Sequence, residues 1–267
     1  MQRSKRFILR MNALKYIGSI ALSLLSMASF AQKDLFQSTK QPARKGFLLG
    51  ANGNFDFAAG DMANRFGNNY RIGPSLQYKT LKNWIFGVKM DFINGDKVKN
   101  RSALFSGISD ASGYFFNQDG QRIGINVYER GYMAGLEFGY VYNTSKRVGD
   151  QGIMLLTGIG FMQHKILIQD KSESIFPLRG DYRKGYDHLT NGLYVEQYLG
   201  YLFMSHNGLV NFHAGLDIAL GFTQGRRDFN FDTHTSGNDH RTDILVGIRG
   251  GWYLPFFKRK SEELFFE

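Results

Sequence analysis

The chain has no cysteine, only four prolines, and no long apolar run beyond its first thirty-odd residues. Each shortage excludes something. Without cysteine there is no disulfide, no thiolate chemistry and no lipid attached through an N-terminal cysteine. Without a later stretch of about 20 apolar residues there is no transmembrane helix. Helix-forming segments are also scarce, because 32 glycines interrupt them almost everywhere. Aromatic residues, at 15% of the chain, are plentiful. That balance points to an all-β protein.

The N-terminus, "MQRSKRFILRMNALKYIGSIALSLLSMASFAQ", carries Arg3, Lys5, Arg6, Arg10 and Lys15 and no acid. An apolar run over 17–30 follows, ending in small residues at Ser29 and Ala31. This pattern predicts a secretory signal over 1–31 with the mature chain starting at Gln32, and Met1 and Met11 are both candidate starts. The competing reading, an N-terminal membrane anchor, meets an apolar core shorter than the ~20 residues a spanning helix needs. The net charge of +10 is half an export device: without the signal, 28 basic residues face 23 acidic ones. Nucleic acid is therefore not an expected partner.

The stretch "VNFHAGLDIALGF" (210–222) alternates strictly, with Phe212, Leu216 and Leu220 on one face and His213, Asp217 and Gly221 on the other. Seven further segments alternate in the same way: 46–57, 70–80, 84–94, 127–143, 152–168, 192–204 and 243–257. Most are as long as the 9–11 residues a tilted strand needs to cross a bilayer. Short connections alternate with long ones, and the long ones fall after the first, third, fifth and seventh segments. An even strand number with every long loop at one end is the pattern of an outer-membrane barrel. The expectation is an eight-stranded antiparallel up-and-down transmembrane β-barrel over 46–257 with four long extracellular loops. It has a periplasmic segment at 32–45 and a tail at 258–267.

Parity then sorts the side chains. One face holds Trp84, Phe86, Val88, Met90, Phe92 and their counterparts without a single charge, as a lipid-facing surface requires. Lys89, Asp91, Glu137, Glu196, Asp217, Arg249 and His213 take the other face, among glycines. They are expected to pair as a polar plug, because an eight-stranded interior is just filled by side chains and an unpaired charge there is costly. A diffusion pore is not expected.

The signal region "SFAQ" (29–32), the strand pattern with its short turns and the closing "GIRGGWYLPFF" (247–257) resemble the outer-membrane β-barrel family of Bacteroidota-type bacteria, which includes PorT-like and OmpX-like small barrels. The resemblance implies a structural, adhesive or secretion-accessory component of the cell envelope. The chain departs from the usual barrel ending, since "KRKSEELFFE" (258–267) follows Phe257. Phe257 and Phe266 are thus both candidates for the residue read by the insertion machinery.

Candidate chemistry is sparse. Some eight-stranded barrels modify lipid A with a His, a Ser and an acid at the outer rim, which is the alternative function. Here Ser205–His206 falls in a short turn, and His213 and Asp217 lie about 13 Å apart along one strand at ~3.3 Å per residue. No nucleophile–base–orienter set emerges. In "DFNFDTHTSGND" (228–239), Asp228, Asn230, Asp232, Ser236 and Asp239 fit five positions of a calcium loop. Thr233 stands where glycine is needed and Asp239 where a bidentate Glu is needed. The switch in apolar parity between Phe222 and Phe229 suggests a bulge near Gly225. "RGD" at 179–181 is short enough to arise by chance. Arg179, Asp181, Arg183, Lys184, Arg226 and Arg227 are the outer-loop residues placed to meet lipopolysaccharide phosphates or an envelope protein. Outer-membrane lipid is the expected surrounding, and no cofactor or metal is expected.

Overall fold

The computed structural model describes residues 42–117, 119–145, 148–170, 175–205 and 210–257. The expected signal, most of the 32–45 segment, His206 and the 258–267 tail lie outside them. Eight strands form one closed antiparallel ring: β1 (Gly46–Gly60), β2 (Asn69–Lys79), β3 (Trp84–Gly95), β6 (Asn126–Asn143), β7 (Gly152–Gln169), β8 (Thr190–Met204), β9 (Asn211–Gly225) and β12 (His240–Phe257). Each pairs with its chain neighbours, and β1 closes the ring on β12 from Gly46↔Phe257 to Gly60↔Asp243. Closure is the physical solution for a sheet in hydrocarbon, because it leaves no edge of unpaired backbone N–H and C=O groups. The loops add two short hairpins, β4 (Phe115–Phe116) with β5 (Arg122–Ile123) and β10 (Arg227–Asn230) with β11 (Thr235–Gly237). They also carry two single-turn helices, α1 (Met62–Arg65) and α2 (Arg101–Leu104).

Alternation fixes which face meets lipid. On β9, Phe212, Leu216, Ile218 and Phe222 are exposed, while His213, Asp217 and Gly221 are buried inside the ring. Phe212 to Phe222 spans eleven residues, the length a tilted strand needs to cross a bilayer. Exposed Tyr78, Trp84, Tyr140, Tyr142, Tyr201 and Trp252 form a girdle near the short-turn end; Phe55, Phe57, Tyr70 and Phe92 lie near the other. The exposed apolar surface between them would be unsustainable in water, and it is what lipid contact requires. The molecule is a transmembrane barrel of the outer membrane. One polar pair sits within this band: Thr157 Oγ1 donates to Gln197 Oε1 at 2.9 Å, and Gln197 Nε2 donates to the Leu156 carbonyl at 2.9 Å. Their polar groups satisfy one another, so neither faces hydrocarbon alone.

The strands run a few residues further outward than alternation suggested. The first and last outer loops therefore shrink to 61–68 and 226–239. No bulge interrupts β9: its pairing with β12 runs unbroken from Trp252↔Phe212 to His240↔Gln224. The irregularity lies just beyond it: the chain leaves the barrel wall at Gly225 and starts the separate β10–β11 hairpin, whose register shifts between Arg227 and Asn230. A Cβ on Gly225 would stand 1.9 Å from the Gly237 carbonyl, so only glycine allows that departure.

Substituting Leu216→Arg puts a charge on the lipid face and should lower unfolding stability by about 2–4 kcal/mol. Denaturant titration of the protein folded into vesicles measures this; an unchanged midpoint would contradict the placement of that face in lipid.

Candidate functional site

The lumen is filled in three tiers. At the short-turn mouth, Asp150 is fully buried between two cations. Arg44 Nε donates to its Oδ2 at 2.7 Å and Lys79 Nζ to its Oδ1 at 2.6 Å, while the Arg44 guanidinium covers the Phe257 ring at 4.4 Å. Above them lies an apolar layer that includes Leu48, Ile85, Val141, Met154, Leu156 and Leu202.

The middle tier is ionic, and its hub is Arg71 on β2. Its Nε and Nη2 donate to the two oxygens of Asp56 at 2.7 and 3.0 Å. Nη1 donates to Glu196 Oε1 at 2.8 Å, and Nη2 also reaches Asp217 Oδ1 at 2.5 Å. Arg249 Nη1 donates to Glu137 Oε1 at 2.8 Å, and Gln77 Nε2 donates to the other oxygen of that carboxylate at 2.7 Å. Lys89 Nζ lies 2.8 Å from Asp91 Oδ2 and 2.5 Å from Glu196 Oε2.

In the ring order, β2 stands four places from β8, and β12 four places from β6. The Arg71–Glu196 and Arg249–Glu137 pairs therefore cross the lumen and join opposite walls. Seven strands contribute a charge. The eighth, β7, contributes Gly158, where a Cβ would come within 3.1 Å of Glu196 Oε2. The guanidinium suits the hub because its planar fork carries five donors, enough to engage three carboxylates at once. Five carboxylates face three cations here, and neutral donors from Gln77 and Asn54 offset part of the excess.

The sequence-derived interior residues Lys89, Asp91, Glu137, Glu196, Asp217 and Arg249 thus sit in one network. His213 lies apart, in a layer below. Its Nε2 is 3.0 Å from Asn52 Oδ1 and its Nδ1 is 2.9 Å from the Tyr198 hydroxyl, and its ring stacks on Tyr253 at 4.9 Å. Asn52 uses its amide N–H on Ser75, so its oxygen must accept, which assigns the His213 proton to Nε2. Alternation alone did not single out Arg71, Asp56 or Asp150. Arg71 and Asp56 carried a signal, since each is flanked by lipid-facing residues (Tyr70 and Ile72, Phe55 and Phe57). Asp150 lies in a turn and carried none.

The outer tier is apolar again. Phe66, Ile93, Met133, Met162, Ile166 and Leu245 pack under the loops with Phe105, Phe115 and Tyr186. An aromatic chain ties three loops together: Phe115 to Phe105 at 5.3 Å, Phe105 to Tyr186 at 5.8 Å, and Tyr186 to Phe231 at 5.4 Å between ring centroids. Gly185 is required there, because a Cβ would strike the Phe231 ring. Arg227 Nε donates to Asp187 Oδ1 at 2.7 Å, and His188 Nε2 lies 3.1 Å from Asp232 Oδ2, clasping two loops.

The outer-loop candidates do not form one cluster. Asp181 and Lys184 pair with each other at the surface. Arg227 is consumed by Asp187, and Arg226 Nε donates to Asn191 Oδ1 at 2.6 Å. Arg179 and Arg183 lie on the 3-10 turns around 176–185. The calcium-loop pattern is a hairpin: Asp232 turns to His188 and Ser236 to Asn238. Among the described residues no group of three or more His, Asp or Glu side chains is placed to hold a metal ion. His164 contacts Asp243 Oδ2 at 2.9 Å, and Thr223 donates to the same oxygen at 2.5 Å. All three are buried, with the Phe66 ring edge-on to His164.

No protein-family model and no curated protein sequence matches the chain. Three solved structures illustrate its structural similarities. Neisserial surface protein A is 11% identical, with a TM-score of 0.42, over 79% of this chain and 97% of that one. The attachment invasion locus protein Ail of Yersinia pestis, solved with the heparin analogue sucrose octasulfate, is 13% identical, with a TM-score of 0.39, over 79% and 98%. The outer membrane protein OprG of Pseudomonas aeruginosa is 10% identical, with a TM-score of 0.32, over 80% and 97%. At this level no ligand or activity carries over, and the fold stands on its own strand pairing.

Two outcomes test this site. Arg71→Met keeps most of the volume and strands three carboxylates, so stability in vesicles should fall by about 3–5 kcal/mol. Arg122→Met, which breaks an exposed pair with Asp110, should change it by less than about 1 kcal/mol. Equal effects would remove Arg71 from its central place.

The second outcome concerns the loop clasp. Burial pushes the Asp232 carboxyl up, but the hydrogen bond and charge of His188 outweigh it and leave it below the ordinary 3.8. A depressed carboxyl contributes stability above its unfolded value and loses it as pH falls through its folded value. Hydrogen exchange at 230–235 should therefore stay slow at pH 5 and accelerate only below about pH 4. Acceleration already between pH 7 and 5 would contradict the carboxylate's role.

Proposed function

We propose that the protein is a non-enzymatic component of the outer membrane that acts through its outer surface, as a structural or adhesive element. The observation that carries this reading is the outer cap. The long loops share one buried apolar core and are clasped by charges, so they present a preformed platform. Exposed Tyr114, Phe116, Phe176, Tyr182 and Phe229 stand on it. A preformed surface binds without the ordering entropy that a mobile loop would lose. The filled lumen speaks against transport by diffusion. The alternative, a lipid A-modifying enzyme, lacks support: among the described residues no histidine bonds both a serine and an acid at the membrane rim. The finer reading, an accessory of envelope assembly or secretion in Bacteroidota-type bacteria, rests on the sequence resemblance.

Photo-crosslinking residues placed at Phe116, Phe176 and Phe229 in intact cells should yield discrete adducts with one partner, and one at Leu81, in the opposite turn, should not. Adducts from Leu81 alone would move the working surface to the periplasm. In planar bilayers the purified protein should show no sustained conductance, and stable openings would refute the closed lumen.

A further inference from the structure

On the outer wall, just where the lipid-facing surface turns polar, lies a groove of about 520 Å³ between β8, β9, β12 and the β1–β2 loop. Register places its parts. Phe161, Leu193, Phe222 and Thr242 form one outward row across four neighbouring strands, in the order β7, β8, β9, β12. The next outward row is Gln163, Asn191, Gln224 and His240. An apolar floor thus gives way, within two residues, to a polar ledge. Above the ledge stands the exposed guanidinium of Arg226.

Arg226 is held in place but its charge is not met. Its backbone N–H donates to the Leu189 carbonyl at 2.8 Å, and its side chain donates to Asn191 Oδ1 at 2.6 Å and Gln224 Oε1 at 3.4 Å. Both side-chain partners are neutral amides, and among the described residues no carboxylate lies within ion-pair distance. Two other charged groups line the groove, Arg241 and Asp61, and among the described residues Arg241 Nε has no hydrogen-bond partner and the Asp61 carboxylate no ion pair. Arg241 donates to Asp243 Oδ1 at 3.2 Å and to the Asp61 carbonyl at 2.7 Å. The Asp61 carboxylate accepts the Thr242 N–H at 2.8 Å. An oriented, uncompensated cation above an apolar floor at the membrane boundary matches a molecule with acyl chains below and a phosphate above.

We propose that this groove binds a phosphorylated glycolipid of the outer leaflet. Its acyl chain lies against Phe161, Leu193 and Phe222, and its phosphate accepts from Arg226, with His240 beside it. The charge-assisted bond to phosphate sets the site apart from general lipid solvation, since phosphate geometry suits the guanidinium fork. The inference rests on the long loops facing outward. That orientation is measured separately, by labelling a Thr235→Cys variant on intact cells with a membrane-impermeant thiol reagent.

The test uses the full protein in phosphatidylcholine nanodiscs doped with diphosphoryl lipid A, with bound lipid counted by native mass spectrometry. Wild-type protein should retain lipid A. Arg226→Gln, or dephosphorylated lipid A with the wild type, should each reduce occupancy about tenfold, the loss expected for one charge-assisted hydrogen bond. Arg122→Gln, a loop cation outside the groove, should change nothing, and added inorganic phosphate should not displace the lipid. Wild-type occupancy in Arg226→Gln, equal binding of the dephosphorylated lipid, an equal loss in Arg122→Gln or displacement by inorganic phosphate would each overturn the assignment. Retention of heat-modifiable mobility in SDS shows that every variant is folded.

Discussion

The guanidinium of Arg71 sets the terms for the rest of the barrel. A cation with no exposed surface is tolerable only if carboxylates come to it; here three hydrogen-bond to it, from the adjacent strand β1 and from β8 and β9 across the lumen, and Asp91 of the adjacent β3 lies 3.7 Å away. Such contacts fix the distance between opposite walls, because both ends of each pair are anchored on paired strands. Arg249 and Glu137 repeat the device between β12 and β6. Two struts thus cross the interior and occupy the space along the axis between the walls. Gly158 on β7 is the complementary concession, a side chain omitted so that Glu196 fits.

Above this layer, and below it beyond the His213 layer, the interior becomes apolar, which lowers the local dielectric and strengthens the ionic contacts. The upper apolar layer continues into the loops. Phe105, Phe115 and Tyr186 belong to loops by chain position but to the core by burial. The cap and the lumen are thus one packed body, and the outer surface inherits the stiffness of the barrel beneath it. This joins the packed interior to the outer surface, where the exposed aromatics and Arg226 lie.

Much of this architecture was legible in the chain. Strict alternation placed all eight wall strands to within a few residues, because lipid on one side and lumen on the other impose unlike demands at every second position. The same parity sorted Lys89, Glu137, Glu196, Asp217 and Arg249 to the inside. It also applied to Arg71 and Asp56, although nothing in their local sequence ranks them above Lys79 or Gln77. The apolar inward residues Met133, Met154, Leu156 and Met162 were obscured because apolar side chains then stand on both faces of one strand. The parity change after Phe222 was legible, but its cause was not: a bulge and a departing hairpin leave the same trace.

What the sequence determined by itself is the set of properties that depend on position along one strand: which residues meet lipid and which face inward. Only the tertiary structure decided which inward charges meet. Partners such as Arg71 and Glu196 are 125 residues apart in the chain, and strand tilt and ring closure, which no local pattern encodes, bring them together across the axis. The same holds at the rim, where Arg226 acquires neutral partners and an open groove because of how β8, β9 and β12 align.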